Sequence, residues 1–502
     1  MTNVKRYLSG VTTGYVYTIV TSIVALWLTP YTLSFVDRTH YGYYILLADI
    51  LTWLNLLQLG VSGVFNSKAA MCIGRKDYHL LQVYTSTASL MQAISGVIIL
   101  VIGICMSFFM DRIVDTTGIS RFDVVVTFVI VSFTSFFHIL KQPLSAILVA
   151  NKQIHIDNLL DLLLYGIQVG LTVLFLNLGY GIISLAVSHL VAVLCITLVT
   201  YIRVKRLPFK LKLGFVGFDK KVLFDFLTTG IWFTVGGLGQ IFIYKVDRFF
   251  IGSYISLSVV TSYHITTKLY DFCNVFFSKF VNISRPYISQ LYAQKNMKRL
   301  CHLYDFFVNA SIILMVFVCI MVYLVNQWFV GWWIKNDPNA YIGDKVSFLF
   351  SVSVILQAAV LPNRALLAST LYKVNMQGIA RVVEGAVKFL LSLLMIRYWG
   401  IEGLLWASII SCLLCSTIWM NYLSNKVLQM PLSHQFKNYI SYLSLSLFVV
   451  VYLLPSKWMG LIVTLAVYFV GSIIFWRFLL SPDLKLFIIE VVKRKNKNVK
   501  IS

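Results

Sequence analysis

The sequence predicts an all-α, polytopic membrane protein of about fourteen transmembrane helices, arranged as two six-helix lobes plus two extra C-terminal helices. Three observations carry this expectation. Apolar stretches fill the chain, and each is long enough for a hydrocarbon core about 30 Å thick, which takes about 20 helical residues. Hydrophobic residues make up 59% of the 502, with a mean hydropathy of +0.82, far from the balance of a soluble domain. Basic residues crowd into alternate gaps between the apolar runs.

In order, the expected spans are 11–34, 42–64, 84–109, 123–149, 158–177 and 182–202, then 224–246, 257–282, 303–328, 346–370, 380–397 and 403–424. Two more, 438–455 and 459–480, close the chain. Lys5 and Arg6 precede a full-length span with no small-residue cleavage site behind it, so the first segment is expected to stay as an anchor. About 26 basic residues fall on the side of the N-terminus and 8 on the other, which places both termini in the cytoplasm. The formal charge of +23 therefore reads as topology-setting Lys and Arg rather than as a nucleic-acid surface. Trp332, Trp333, Trp399 and Trp458 fall at outer span ends, where interfacial anchors belong.

The chain repeats itself. Pro143-Leu-Ser-Ala-Ile-Leu-Val-Ala and Pro362-Asn-Arg-Ala-Leu-Leu-Ala-Ser match, and Gly181-Ile182 and Gly400-Ile401 lie the same distance beyond the two prolines. Ser9-Gly10 and Thr229-Gly230 correspond in the same way. A parallel duplication of six helices returns the second copy in the orientation of the first. The expected organisation is an N-terminal lobe (1–208), a basic linker (209–223), a C-terminal lobe (224–430), two accessory helices (431–480) and a basic tail (481–502). Such lobes place any substrate site between them.

Asp49, Lys141, Lys245, Lys268, Asp271, Lys279, Arg364, Glu384 and Lys388 fall in or near spans, where a charge at the bilayer centre costs about 2.5–3.5 kcal/mol and calls for a partner or a watery cavity. Glu384 and Lys388, four apart, are expected to neutralise each other, and Lys268 with Asp271 could do the same. Lys141 and Lys279 are expected to snorkel. Lys245, Lys268 and Arg364 then stand out as substrate-binding cavity cations. Asp49, Asp247 and Asp271 are candidates for ion coupling or for charge pairing. Surplus positive charge suits an anion such as a phosphate or diphosphate, and a pump for lipophilic cations would need the reverse. Tyr15, Tyr17, Tyr43, Tyr44, Trp53, Trp232, Tyr244, Tyr263 and Tyr270 add rings suited to stacking on sugars. The eight cysteines fall mostly in apolar spans, and Cys412-Leu-Leu-Cys415 has no second pair, so no metal, cofactor or nucleophile is expected. His138, His189 and His264 lack ligand spacing.

Lys245-Val-Asp247-Arg248-Phe-Phe-Ile-Gly252, followed by Tyr263-His-Ile-Thr-Thr-Lys268-Leu269, resembles the K-x-D-R-x-x-I-G … Y-x-x-x-x-K-L pattern of bacterial polysaccharide exporters. These are the O-antigen and capsule repeat-unit flippases (Wzx-type) of the multidrug/oligosaccharidyl-lipid/polysaccharide superfamily. Gly179-Tyr-Gly181-Ile-Ile-Ser-Leu-Ala186 and Trp399-Gly400-Ile-Glu-Gly403-Leu look like that family's turns before its sixth and twelfth helices. The resemblance implies a flippase rather than an enzyme, working by alternating access in the bacterial cytoplasmic membrane. Its substrate would be an undecaprenyl-diphosphate-linked oligosaccharide, and the family's cationic cavity would map onto Lys245, Lys268 and Arg364. It also implies membrane lipids, a polysaccharide polymerase and a chain-length regulator as partners, and no nucleic acid. The first two spans carry no mid-membrane arginine, unlike the peptidoglycan-precursor flippases of the same superfamily. The rival reading is a multidrug or small-metabolite exporter of that superfamily. A membrane polymerase or ligase would need a large outer loop, and the sequence has none.

Overall fold

Polar caps and glycines punctuate the apolar runs into discrete helices. The computed structural model describes residues 3–207, 219–430 except 336 and 371, and parts of 450–464. Among the described residues there are helices and turns and no strand. The helices are α1 (Asn3–Leu33), α2 (Arg38–Leu54), α3 (Val61–Arg75), α4 (Tyr78–Ser107), α5 (Met110–Ile113), α6 (Arg121–Ala150), α7 (Ile154–Asn177) and α8 (Ile183–Lys205). The second series is α9 (Lys220–Tyr244), α10 (Val246–Tyr254), α11 (Leu257–Ile283), α12 (Arg285–Ala293), α13 (Met297–Trp333), α14 (Asp344–Thr370), α15 (Val374–Ser411) and α16 (Ile418–Leu428). The starts are marked chemically. Asp37, Asp77, Ser120, Asp219 and Ser256 each accept a backbone N–H of the first turn, satisfying donors that no intrahelical carbonyl can reach.

Nine of these helices are long and apolar enough to cross a membrane, and ten if the bent pair α2–α3 counts as one span. The chain is thus a multi-pass membrane protein. The expected spans 438–455 and 459–480 lie largely outside the described residues, as do most of the 209–223 linker and Trp458. α9 begins at Lys220, before the end expected for that linker.

Three spans depart from straight helices. The expected 42–64 span breaks at Leu59 and Gly60, both left-handed (φ 51° and 67°), and α2 and α3 meet at 55°. The break has a tertiary cause: the Leu59 carbonyl lies where a side chain on Gly230 of α9 would be, 2.1 Å from an ideal Cβ. α15 passes through Gly400 (φ 56°, ψ −134°), which divides it into the eleventh and twelfth expected spans. Gly181, its counterpart in the sequence repeat, has nearly the same φ of 54°. Between α15 and α16 the residues Cys412–Thr417 form a π-turn.

Packing follows two sets. α6 packs between α4 and α8, with α3 and α7 alongside, and in the second set α14 packs against α11, α13 and α15, with α9 on α15. The sets meet where α2 crosses α11 and α10, and where α3 meets α9. Gly42 makes the first crossing possible, because a Cβ there would sit 2.0 Å from the Leu257 carbonyl. Thr261 Oγ1 donates to the Arg38 carbonyl (2.7 Å), and Arg38 pairs with Asp337 (2.6 Å).

Candidate functional site

The second set encloses a polar chamber of about 410 Å³. Gln240, Tyr244, Asn274 and Gln357 line it together with Arg285, Arg364 and Arg381, and no carboxylate is among its lining residues. Arg364 follows Pro362 inside α14 and is 7% exposed. Its Nη1 donates to the Tyr244 hydroxyl (3.0 Å), and its Nη2 donates to Ser416 Oγ (3.0 Å) and Glu384 Oε2 (3.3 Å). The π-turn supplies Ser416, which also donates to Glu384. The Nε atoms of Arg364 and Arg381 are buried and have no hydrogen-bond partner among the described residues. Two strong donors beside one cavity are therefore unmet.

Ile243, Tyr244, Asn274 and Gln357 continue from the chamber into a narrower neck of about 60 Å³, where Asp247, Arg248, Asp271 and Lys388 appear. The irregular junction at Lys245 (φ −120°) between α9 and α10 organises this region. Lys388, only 2% exposed, donates to the Ile243 carbonyl (2.6 Å) and to Asp247 Oδ2 (3.0 Å), with Asp247 Oδ1 2.9 Å from its ammonium in the same ion pair. Asp49, reaching over from α2, accepts from Lys245 Nζ (2.8 Å) and Arg248 Nη1 (3.0 Å). Arg248 Nη2 also lies 3.6 Å from Asp271. Asp271 then faces a third space of about 300 Å³ between α1, α7 and α11, which Thr21, Ser22, Tyr165 and Lys268 line. Lys268 Nζ sits 3.3 Å from His264 Nε2.

Along this path Arg285, Arg381, Arg364, Lys388, Arg248, Lys245 and Lys268 face Glu384, Asp247, Asp271 and Asp49, a clear excess of cations. Among the described residues no group of His, Cys, Asp and Glu could hold a metal ion.

A family model described as "Polysaccharide biosynthesis protein" matches residues 35–336, more than half of the chain. The chain belongs to that family. The chain is similar in fold to the lipid II flippase MurJ in an inward closed conformation, with a TM-score of 0.70 at 15% identity over 92% of this chain and 98% of that one. It is also similar to an inward-facing multidrug resistance MATE family transporter of the MOP superfamily (TM-score 0.67, 13% identity, 85% and 99% covered). A MOP superfamily transporter from Pyrococcus furiosus gives a TM-score of 0.59 at 14% identity, with 85% and 95% covered. No curated protein matches.

In this chain the three cavity cations expected from sequence occupy three different places. Arg364 lines the chamber, Lys245 is bound to Asp49, and Lys268 lines the slot beside α1. Several expected pairings are replaced. Glu384 and Lys388 do not neutralise each other: Glu384 holds Arg364 and Lys388 holds Asp247, because each side chain meets a closer partner on a neighbouring helix. Lys141 does not snorkel; it is 5% exposed and donates to Asp161. Lys279 bridges to α1, donating to the Gly14 carbonyl (3.0 Å) and to Thr18. Tyr43 and Tyr270 are buried core residues, unable to stack on a sugar; Tyr263 is buried but lines the neck, and Tyr244 alone of the named tyrosines lines the chamber. Trp332 and Trp399 are exposed, whereas Trp333 is buried with its Nε1 donating to the Leu26 carbonyl (2.6 Å). Sequence reasoning missed Arg285, which lies in a basic gap and reads there as a topology-setting charge, and Arg381, which opens the expected span 380–397 and carries no motif. It named Arg248 as part of the Lys245-Val-Asp247-Arg248 motif, without a place in the site.

Proposed function

We propose that this protein is a flippase for undecaprenyl-diphosphate-linked oligosaccharide repeat units of a surface polysaccharide, O-antigen or capsule. The observation that carries the reading is the chamber lined by Arg285, Arg364 and Arg381 with no carboxylate among its lining residues. Guanidinium forks bind phosphate oxygens in bidentate fashion, and a diphosphate presents enough oxygens for more than one fork. A pump for lipophilic cations would need the opposite sign. Family membership and a fold shared with a flippase and with transporters support the same conclusion.

The head group would cross through the polar path while the polyprenyl chain stays in lipid. The slot between α1, α7 and α11 is the opening through which the two remain connected. Alternating access follows from two lobes, residues 1–208 and 224–430, which part on one face and then on the other. The excess of Lys and Arg beside the termini supports a bacterial cytoplasmic membrane with both termini inside. No bond is made or broken, so the protein is not an enzyme. The surrounding lipids, a polymerase and a chain-length regulator are its partners. Asp49, Asp247 and Asp271 serve charge pairing in this scheme.

The test is reconstitution. Vesicles holding the protein should move a labelled polyprenyl-diphosphate saccharide between leaflets, and protein-free vesicles should not. A wild-type protein that leaves the label in place would overturn the reading. In cells, deletion should strand lipid-linked repeat units on the inner leaflet.

A further inference from the structure

The arginine chamber explains entry of an anion into the second set of helices, but it leaves the cations beside the neck unused. Arg248 lines the neck that continues from the chamber through Tyr244, Asn274 and Gln357, and Lys245 stands three residues before it at the α9–α10 junction. Both are occupied by one carboxylate. Asp49, 2% exposed, takes Lys245 Nζ at 2.8 Å and Arg248 Nη1 at 3.0 Å. That carboxylate comes from the other set of helices, on α2. On the same helix, two turns earlier, Gly42 packs on the Leu257 carbonyl, and at its start the Arg38 carbonyl accepts from Thr261. One stripe of α2 therefore carries both the close contact and the charge contact between the sets.

We propose that Lys245 and Arg248 are a second diphosphate station, masked in this state by Asp49 as an internal stand-in for the substrate's anion. The inference rests on the flippase reading and adds to it where the head group goes next. A diphosphate leaving the chamber brings more negative charge than one carboxylate and can hold an ammonium and a guanidinium together. Taking those cations from Asp49 removes the charge contact that ties α2 to the second set. As the seam opens, water reaches Asp49, so the carboxylate does not remain as an unpaired buried charge. Asp271, 3.6 Å from Arg248, keeps that guanidinium oriented during the exchange. Substrate arrival and parting of the seam thus become one event.

The experiment uses the full chain in lipid nanodiscs with inorganic diphosphate as the probe, read by calorimetry and by hydrogen exchange over residues 38–49 and 257–263. Asp49→Asn unmasks the cations and should tighten diphosphate binding by about tenfold, a shift of about 1.4 kcal/mol. Lys245→Ala should weaken it by a similar factor. Both variants should raise exchange along the seam, and diphosphate should raise it in the wild type. A purely structural latch loosens the seam in both variants without moving affinity in opposite directions, and that result overturns the proposal. Where Asp49→Asn does not fold, unchanged affinity in Lys245→Ala is enough to overturn it. A wild type that moves labelled lipid while both variants bind diphosphate alike sinks the station and keeps the flippase. Opposite shifts in a protein that moves no lipid sink the flippase reading alone.

Discussion

A lysine 2% exposed in the middle of an apolar helix persists only because its charge is matched. Lys388 has the Asp247 carboxylate and the Ile243 carbonyl on its ammonium, and Asp247 is itself only 8% exposed. Removing one member of such a pair leaves the other charge uncompensated, a cost of about 3–5 kcal/mol. Lys388→Ala should therefore lower the melting temperature of the purified protein markedly, whereas Lys388→Ala combined with Asp247→Asn should restore much of it. Arg381 is the opposite case. It lines the chamber and makes no ion pair among the described residues, so Arg381→Ala should cut lipid movement by about tenfold, losing a charge-assisted contact worth about 1.5–3 kcal/mol, at unchanged membrane abundance. Full activity in that variant would remove the chamber from the mechanism. Charges in spans were visible in the sequence, but their partners were not. Four-residue spacing joined Glu384 to Lys388 on paper, while in the fold each points to a residue far away in the chain. Helical spacing says which face a side chain takes and nothing about the helix opposite it.

Hydropathy gave the helices because the bilayer demands long apolar runs with internally satisfied backbones. The breaks within them were legible only where glycine signals them directly. Gly400 and Gly181 were read as matched turns, and both have positive φ. The Leu59–Gly60 break escaped although Gly60 marks it with a positive φ, because a single glycine inside an apolar run does not show that Gly230 of another helix packs on the Leu59 carbonyl. Gly42 belongs to the same class. A methyl group there would need the Leu257 carbonyl to move, so Gly42→Ala should push α2 away from α11. The expected outcome is faster hydrogen exchange at residues 257–263, lipid movement slowed severalfold and a lowered melting temperature. Gly74, which has open space around it, is the control, and Gly74→Ala should behave as wild type.

At the scale of the molecule the two sets of helices are tied at both faces of their seam. Arg38 meets Asp337 at one face, and Lys68 of α3 meets Asp225 of α9 (2.7 Å) at the other, the face of the basic linker. Alternating access requires each tie to open in turn, because a head group cannot cross while both hold. A single covalent bridge at either face should then stop turnover. With native cysteines replaced, Arg38→Cys with Asp337→Cys, and separately Lys68→Cys with Asp225→Cys, should each lose lipid movement when joined by a short thiol cross-linker. Each should regain it when the linker is cleaved, and both should still bind inorganic diphosphate from the accessible side. A cross-linked pair that keeps moving lipid would mean that the sets do not part at that face, and the head group would need another way across.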